Sequence, residues 1–378
     1  MTLSDDPSAY RLIGRFVTPA VSPLRYDCLH FLVEAPQGRA PDPSVSPELD
    51  RGEWISPAAA LDRIRRGIWL APTPIEIVLV ELAKDDDDRL EERLAEVSRL
   101  DRAARLWFFC EGIGIAPLET LTLPPATHTN AYVFGVRELC AVDPGSHDPA
   151  EQEALAQEIE RRVAAGARVR AILLTHHHAD HTSGAAALAA RVGAPIWAHP
   201  ETARRVPFEV ARELDDGEVI DLGERRLRCV FTPGHAPGHL CFLEEETGWM
   251  AAGDMVASVG TILVDPSEGD MRLYLESLAR MAALAPRVLL PAHGAPIADP
   301  AAKLAEYVGH RLWREERVLA ALAGRGRSTA RDLVPIAYAD TAPALHPIAE
   351  RSLISHLVKL AGDRRIRALG DDQWEPVS

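Results

Sequence analysis

The sequence is poor in aromatic residues and cysteine, and it lacks any apolar run long enough to span a membrane. Only 6% of its 378 residues are aromatic, and its five cysteines form no Cys-x-x-Cys pair. An odd number of scattered cysteines disfavours a disulfide framework. No apolar run approaches the roughly 20 residues that cross a bilayer, and the polar start MTLSDDPSAY resembles no signal or transit peptide. We therefore expect a cytoplasmic protein with reduced thiols and no membrane partner.

Positive charge is also scarce. Lys and Arg number 41 against 56 Asp and Glu, which gives a formal net charge of −15 at pH 7. Such a charge repels polyanions at long range, so a broad nucleic-acid surface is disfavoured. The residues from Lys303 onward carry 12 basic and 10 acidic side chains. This nearly neutral tail is not the basic stripe that is typical of strong nucleic-acid binders.

The chain length predicts two or three domains, and the sequence changes character twice. Residues 1–115 contain an extended run (YDCLHFLVEA), a Pro-rich loop (APQGRAPDPSVSP), a strand or helix (PIEIVLVELAK) and a solvated turn at Asp85–Asp88. A helix is then predicted for RLEERLAEVSRLDRAARLWF, because Leu90, Leu94, Val97 and Leu100 recur at helical spacing.

The remaining two stretches differ from the first and from each other. Residues 116–300 alternate short strands with helices, which favours an α/β domain with helices covering sheets. Residues 301–378 form a pattern of three helices followed by two short strands around a Gly-Asp-Asp turn. This order is typical of a winged-helix domain.

Histidine and aspartate are concentrated where apolar strands of the middle stretch give way to turns. The stretch ILLTHHHADHTSGAAAL contains four of these residues, and TPGHAPGH, AAGDM and LPAHG supply one each. The set is His176, His178, Asp180, His181, His235, Asp254 and His293. Imidazole and carboxylate are zinc ligands. Seven ligands are too many for one tetrahedral ion, but they fit two ions that share a carboxylate.

The order His-x-His-x-Asp-His, Thr-Pro-Gly-His, Gly-Asp and a late His resembles the metallo-β-lactamase fold hydrolases. The resemblance implies an αββα sandwich in which His176, His178 and His235 bind a first ion. Asp180, His181 and His293 would bind a second, and Asp254 would bridge both. His177 would be a spacer that points away. Di-iron relatives have Glu at position 178, so His178 favours zinc, with manganese or iron as alternatives.

Two further polar residues are candidates near this site. Asp143, at another strand end in AVDPG, is predicted either to orient a ligand imidazole or to form a turn before Pro144. His239, the second His of TPGHAPGH, is predicted either to face the substrate or to make structural hydrogen bonds.

The flanking stretches carry their own resemblances. The helices from YVGHRLWREERVLAAL to LISHLVKLAGDRRI resemble the winged helix of the β-lactamase-like protein 2 group, which includes single-strand endoribonucleases and fungal thioesterases of carrier-bound polyketides. Residues 1–115 more weakly resemble part of a Nudix domain, but the Nudix box with its paired Glu residues is absent. The implied domains are Nudix-like (1–115), catalytic (116–300) and winged-helix (301–378).

These resemblances imply a dinuclear zinc hydrolase in which a metal-bridging hydroxide attacks the substrate and Asp180 and Asp254 are the catalytic carboxylates. An ester or thioester of a small or carrier-bound metabolite is favoured by the negative charge. It is also favoured because His293 follows Asp254 by only 39 positions, which leaves no space for an inserted nucleic-acid domain. The alternatives are a single-strand endoribonuclease, contacting RNA through Arg364, Arg365 and Arg367, and a mononuclear iron sulfur dioxygenase. The sequence leaves a homo-oligomer open.

Overall fold

The structure, a computed structural model, describes residues 7–18, 26–34, 52–84, 89–101, 106–370 and 372–377, with the side chains of 97–101 excepted. The predicted Pro-rich loop and the turn at Asp85–Asp88 lie outside the described residues. The chain divides into two compact units, Met1–Gly114 and Ile115–Ser378. The three domain boundaries expected from the sequence stay predictions.

The first unit contains a β-hairpin and three helices. Its elements are a short 3-10 helix (Pro7–Ala9), β1 (Tyr10–Val17), β2 (Asp27–Val33), α1 (Pro57–Arg65), α2 (Thr73–Leu82), α3 (Leu90–Asp101) and β3 (Trp107–Cys110). Strands β1 and β2 are antiparallel. Their buried residues Ile13 and Phe16 pack with Val78, Leu90 and Leu94 of the helices. This apolar cluster is the core of the unit, and its likeness to a Nudix domain stays a prediction.

Two segments of the first unit resolve or correct sequence predictions. The run PIEIVLVELAK forms helix α2, with Pro74 in its first turn, where a missing N–H costs no hydrogen bond. A helix is predicted through Phe108, but the described part of α3 runs from Leu90 to Asp101, and Trp107 and Phe108 lie in strand β3. Aromatic residues such as Trp107 and Phe108 suit a strand, and this local preference ends the helical pattern.

The second unit is built on two sheets. The first contains β4 (Ile113–Glu119), β5 (His128–Phe134), β6 (Glu138–Val142), β7 (Arg168–Leu173), β8 (Ile196–Ala198) and β9 (Arg212–Glu213). The second contains β10 (Val219–Asp221), β11 (Arg226–Phe231), β12 (Leu240–Glu244), β13 (Trp249–Gly253) and β14 (Val288–Pro291). Within each sheet the strands lie in chain order. Strands β6 to β9 are parallel to one another, as are β13 and β14, whereas β5–β6 and β10 to β13 pair antiparallel.

Helices cover the sheets and continue into a helical C-terminal part. They are α4 (Pro149–Ala164), α5 (Ala179–Thr182), α6 (Ala185–Val192), α7 (Pro200–Ala203), α8 (Met271–Ala283), α9 (Pro300–Arg325), α10 (Ala330–Ala337) and α11 (His346–Gly362), with a 3-10 turn at Pro343–Leu345. Helices α4 and α6 contact β7. Tyr274 and Leu278 of α8 and Tyr307 of α9 join the core of the second sheet. Within the described ranges, no helix combines the length and apolarity that a bilayer crossing requires.

Three short strands complete the C-terminal part. They are β15 (Ser328–Thr329), β16 (Ile366–Gly370) and β17 (Gln373–Pro376), in the sheet order β15-β17-β16. Leu333 of α10, Leu357 of α11 and Trp374 of β17 share one buried cluster with the end of α9. Three helices with this small sheet form the winged helix that the sequence predicts, and the two sheets with their covering helices form the expected α/β domain.

Candidate metal centre

The predicted ligands all lie in segments that directly follow or connect strands of the two sheets. His176 and His178 follow β7, His235 lies in the turn between β11 and β12, and Asp254 and His293 follow β13 and β14. The sheets bring these segments together. For example, the backbone N–H of Leu240 donates to the carbonyl of Thr175 at 2.8 Å. Parallel strands end at the same sheet edge, which explains why separate segments can share one site.

Three histidines form a first cluster, in which the inner ring nitrogens face one another. His178 Nδ1 lies 2.9 Å from His176 Nε2 and 3.0 Å from His235 Nε2, and the last two atoms are 3.2 Å apart. Asp254 Oδ2 lies 3.5 Å from His235 Nε2. These four side chains are close enough to bind one ion together.

The outer ring nitrogens of the first cluster have partners of their own. His235 Nδ1 donates to the carbonyl of Leu263 at 2.8 Å, and His178 Nε2 donates to Glu268 Oε1 at 2.7 Å. Burial lowers the pKa of His176 well below its usual value and that of His235 to about 4. Both imidazoles are therefore neutral at pH 7, which is the form that coordinates a cation.

Asp180, His181 and His293 form a second cluster, and Asp254 lies between the two. Its Oδ1 faces His293 Nε2 at 3.3 Å and His181 Nε2 at 3.5 Å, while its Oδ2 faces the first cluster. Asp180 Oδ2 lies 3.7 Å from His293 Nε2. Both Asp254 Oδ1 and His181 Nε2 are buried without a hydrogen-bond partner among the described residues. Buried polar atoms of this kind are rarely left without a partner. A cation bound between Asp254 Oδ1 and His181 Nε2 would satisfy both atoms.

The carboxylates dominate the electrostatics of the second cluster. Burial alone would lower the pKa of His181, but the negative charges of Asp180, Asp254 and Asp143 outweigh it and raise that pKa well above its usual value. Burial likewise opposes ionisation of Asp254, yet His293 and His181 hold its pKa well below the usual range. The cluster thus favours positive charge between its carboxylates, whether protons or a cation carry it.

Asp143 and His239 are both buried and hydrogen-bonded around the ligands. Asp143 accepts from His181 Nδ1 at 2.8 Å and from the backbone N–H of Thr175 at 2.8 Å. His239 pairs with Thr232 Oγ1 at 2.9 Å and accepts from the backbone N–H of Asp254 at 3.1 Å. Asp143 thus orients a predicted ligand. The contacts of His239 match its structural alternative, because both of its ring nitrogens are occupied.

Two glycines permit the close packing of these segments. A Cβ at Gly145 would lie 1.7 Å from the carbonyl oxygen of Asp180, and one at Gly253 would lie 2.5 Å from His239 Nε2. Gly253 also has a φ of +48°, which side chains disfavour. Larger residues at either position would push apart the segments that supply Asp180 and Asp254.

Glu268 also contacts this site, and sequence reasoning missed it. His177 Nε2 lies 2.8 Å from Glu268 Oε2, and His178 Nε2 lies 2.7 Å from Glu268 Oε1. His177 therefore turns toward Glu268, while His176 and His178 face the first cluster. The only signal in the sequence was an acidic residue in the turn of VDPSEGD, before α8. Such turns are common, and the pattern alone does not single out this residue.

The donor set and its spacing suit a divalent metal. Tetrahedral zinc with nitrogen ligands at 2.0–2.1 Å would place those nitrogens about 3.3 Å apart. The ring nitrogens of the first cluster are 2.9 to 3.2 Å apart. Lone pairs of neutral imidazoles repel one another at this distance, so a cation between them would relieve the repulsion. The site therefore fits metal binding.

The fold and these paired clusters agree with the comparisons to known proteins. Residues 125–293 match the family model of the metallo-β-lactamase superfamily, and residues 329–374 match that of the β-lactamase associated winged helix domain. The chain belongs to the metallo-β-lactamase superfamily, and it is a metal-dependent hydrolase of that class.

Individual relatives support this assignment. The chain is 34% identical to the lactamase-like protein adaB of Aspergillus niger over 261 residues, which cover 64% of this chain and 78% of the relative. It is 33% identical to the atrochrysone carboxyl ACP thioesterase of Aspergillus chevalieri over 254 residues, which cover 63% and 77%. A metallo-β-lactamase family protein from Thermus thermophilus superposes with a TM-score of 0.60 at 26% identity, over 70% of this chain and 99% of the other.

Proposed function

We propose that the protein is a dinuclear zinc thioesterase that hydrolyses a carrier-bound acyl thioester. The observation that carries the proposal is the pair of clusters joined by Asp254, whose two carboxylate oxygens face different clusters at 3.3 to 3.5 Å. The similarity to a protein named as an acyl-carrier-protein thioesterase supports the substrate class. Manganese and iron remain the alternative metals.

The ligand set follows from which nitrogens are free to coordinate. His176, His178 and His235 would hold the first ion, and Asp180, His181 and His293 would hold the second, with Asp254 shared. His235, His178 and His181 direct their outer nitrogens to Leu263, Glu268 and Asp143, so each presents its inner nitrogen to the site. When bound, the zinc ions lower the pKa of water towards about 7 and polarise the substrate carbonyl.

The chain itself supplies proton transfer and positioning. The Asp180 side chain is 14% exposed and that of Asp254 is 10% exposed, so Asp180 is the more accessible carboxylate. In this mechanism the Asp180 oxygen that does not bind the ion accepts a proton from the attacking water and returns it to the sulfur of the departing thiol. Asp254, whose backbone N–H donates to His239, keeps the first and second clusters at a fixed distance from each other.

An apolar loop beside the site fits an acyl substrate. Thr122 Oγ1 lies 3.4 Å from His293 Nε2, which places the β4–β5 loop next to the second cluster. The leucines on both sides, Leu121 and Leu123, are 83% and 50% exposed. Exposed leucines in this loop would offer an apolar acyl chain a surface to contact.

The endoribonuclease alternative is less well supported by the arginines on which it depends. Arg365 pairs with Glu315 and Glu316 at 3.0 Å, and Arg367 pairs with Glu375 at 2.7 Å. Carboxylates beside these guanidinium groups oppose contact with phosphates. The sulfur dioxygenase alternative needs only one metal site and gives no role to the second cluster.

One comparison separates the two hydrolytic functions. We expect zinc-loaded protein to hydrolyse a short acyl thioester, and we expect a variant with Arg364, Arg365 and Arg367 all changed to Gln to retain nearly all of that rate. Liberated thiol and cleavage of a single-stranded RNA are measured side by side. If the wild type cuts RNA, the triple variant does not, and neither releases thiol, the nuclease replaces the thioesterase.

Location and assembly remain predictions. All five cysteines are free, and Cys110, Cys140, Cys229 and Cys241 are buried. Free thiols are compatible with the cytoplasmic location expected from the sequence. The possibility of a homo-oligomer is also a prediction, and size-exclusion chromatography with light scattering would determine the oligomeric state.

A further inference from the structure

One carboxylate outside the predicted ligand set accepts hydrogen bonds from two histidines of the motif. Glu268 Oε1 accepts a hydrogen bond from His178 Nε2 at 2.7 Å, and Glu268 Oε2 accepts one from His177 Nε2 at 2.8 Å. Its side chain is 26% exposed, so the contacts are partly shielded from water. Hydrogen bonds to an ionised acceptor are stronger than neutral ones.

These contacts determine which nitrogen of His178 carries its hydrogen. Because Glu268 accepts from Nε2, the neutral His178 ring keeps its lone pair on Nδ1. That atom lies 2.9 Å from His176 Nε2 and 3.0 Å from His235 Nε2, at the centre of the first cluster. Removing the acceptor would free the ring to rotate or to change tautomer.

The turn that carries Glu268 is held by several hydrogen bonds. The carbonyl of Asp265 accepts from the backbone N–H of Gly269 at 2.6 Å. The Asp265 side chain accepts from the backbone N–H of Ser267 at 3.0 Å. Asp270, two residues after Glu268, donates its N–H to the carbonyl of Gly234, beside His235, at 2.8 Å. The turn is therefore fixed both within itself and to a segment of the metal site.

Helix α11 of the winged helix holds the same turn from the other side. Arg351 forms an ion pair with Asp265, and Ser355 Oγ donates to the carbonyl of Val264 at 2.6 Å. The carbonyl of Leu263, the residue before Val264, accepts from His235 Nδ1 at 2.8 Å. A single segment, residues 263–268, thus contacts α11 on one side and His235, His177 and His178 on the other.

We propose that Glu268 is a positioning residue that fixes the metal-binding orientation of His178, and that Arg351 of α11 keeps Glu268 in place. The winged helix then contributes directly to the affinity of the first metal site. This inference rests on the proposed metal site, but it requires no particular substrate. Partners of metal ligands typically change metal affinity by about ten- to a hundredfold when they are removed.

Zinc affinity is the test, measured on the full chain by competition with a chromophoric chelator. We expect Glu268→Ala to weaken zinc binding at the first site by about ten- to a hundredfold. Glu268→Gln should lose less, because its carbonyl can still accept from His178 Nε2. Arg351→Ala should weaken binding in the same direction by a smaller factor. Cobalt substitution provides a second measurement, since the visible absorption bands of Co²⁺ should change in Glu268→Ala.

Matched controls separate positioning from folding and from net charge. Glu276→Ala removes the same charge from a position on α8, and Arg331→Ala removes an exposed arginine from α10. Both should bind zinc like the wild type. Equal zinc affinity and unchanged cobalt spectra in Glu268→Ala and Glu276→Ala would overturn the inference while leaving the proposed function intact. A wild type that binds no zinc would instead refute the proposed function.

Discussion

At the scale of single residues, the site is defined by where each imidazole directs its two nitrogens. His181 directs one nitrogen to Asp143 at 2.8 Å and the other towards Asp254 at 3.5 Å. His293 directs Nδ1 to the carbonyl of His128 at 2.9 Å and Nε2 towards Asp254 at 3.3 Å. Because the outer partner fixes each ring, the inner nitrogen of each histidine faces the site.

Loss of one such ring should empty one cluster. We expect His235→Ala to lower the metal content from about two ions per chain to about one, because the first cluster then keeps only two imidazoles and a shared carboxylate. Metal analysis after gel filtration measures the ratio. His199→Ala, which removes a histidine that caps α7, is the control and should keep the full metal content, as should His177→Ala. A fully active wild type with a single ion would contradict the dinuclear assignment.

At the scale of elements, strong local patterns predicted the fold and the positions of the ligand segments. The run VRAILLT before the histidines predicted β7, and the Pro and Gly of TPGH and LPAHG marked the turns. The run PIEIVLVELAK stayed ambiguous, because periodicity alone does not distinguish a short apolar strand from a buried helix, and only the structure shows α2. Phe108 was assigned to the wrong element because a helical pattern carries no clear end without Gly or Pro.

Contacts between distant segments were beyond the reach of the sequence. Glu268 lies 90 positions from His178 and 91 from His177, in a turn whose composition is ordinary. Arg351 lies almost as far along the chain from Asp265. Pairings of this kind depend on how the sheet edge packs against α11, and the pattern of residues along the sequence does not predict that packing. Asp143 was found because it shares with the ligands a local signal, namely an acidic residue at a strand end.

The contact between α9 and the end of α10 gives a pH-dependent contribution to stability. Arg314 donates to both Asp340 oxygens, at 2.8 and 2.9 Å, and these hydrogen bonds lower the pKa of Asp340 to about 2. A depressed aspartate pKa stabilises the fold above the unfolded value of 3.8, and the contribution is lost as pH falls through about 2. We expect Asp340→Asn to cost roughly 1 kcal/mol at pH 7, because Asp340 is partly exposed.

Urea unfolding at several pH values, with chelator present throughout, measures this difference. The gap between wild type and Asp340→Asn should close between about pH 4 and pH 2. Glu350→Gln on α11 controls for the loss of one negative charge. A gap that stays constant down to pH 2 would show that the ion pair is not its source.

At the scale of the whole molecule, all the candidate metal ligands belong to the second compact unit, Ile115–Ser378. Zinc at about 100 times its dissociation constant stabilises the folded state that binds it by about 2.7 kcal/mol. We therefore expect calorimetry to resolve two transitions, of which zinc raises only the one belonging to residues 115–378. His235→Ala should reduce that shift. If zinc moves both transitions together, the two units unfold as one.

The hydrogen bonds of Asn130 tie the beginning of the second unit to its last ligand segment. Its backbone N–H donates to the carbonyl of Ala292 at 2.7 Å. Its side-chain amide donates to the carbonyls of Pro291 at 2.9 Å and Gly294 at 2.8 Å. These contacts close a loop of more than 160 residues, so His293 reaches the site only after long-range pairing, which is intrinsically slow. During refolding, a chain that has formed β7 and its histidines would bind zinc weakly. High-affinity zinc binding should therefore appear at the rate of the slowest folding phase. The time course of zinc binding would then report when the long-range contacts of Asn130 have formed.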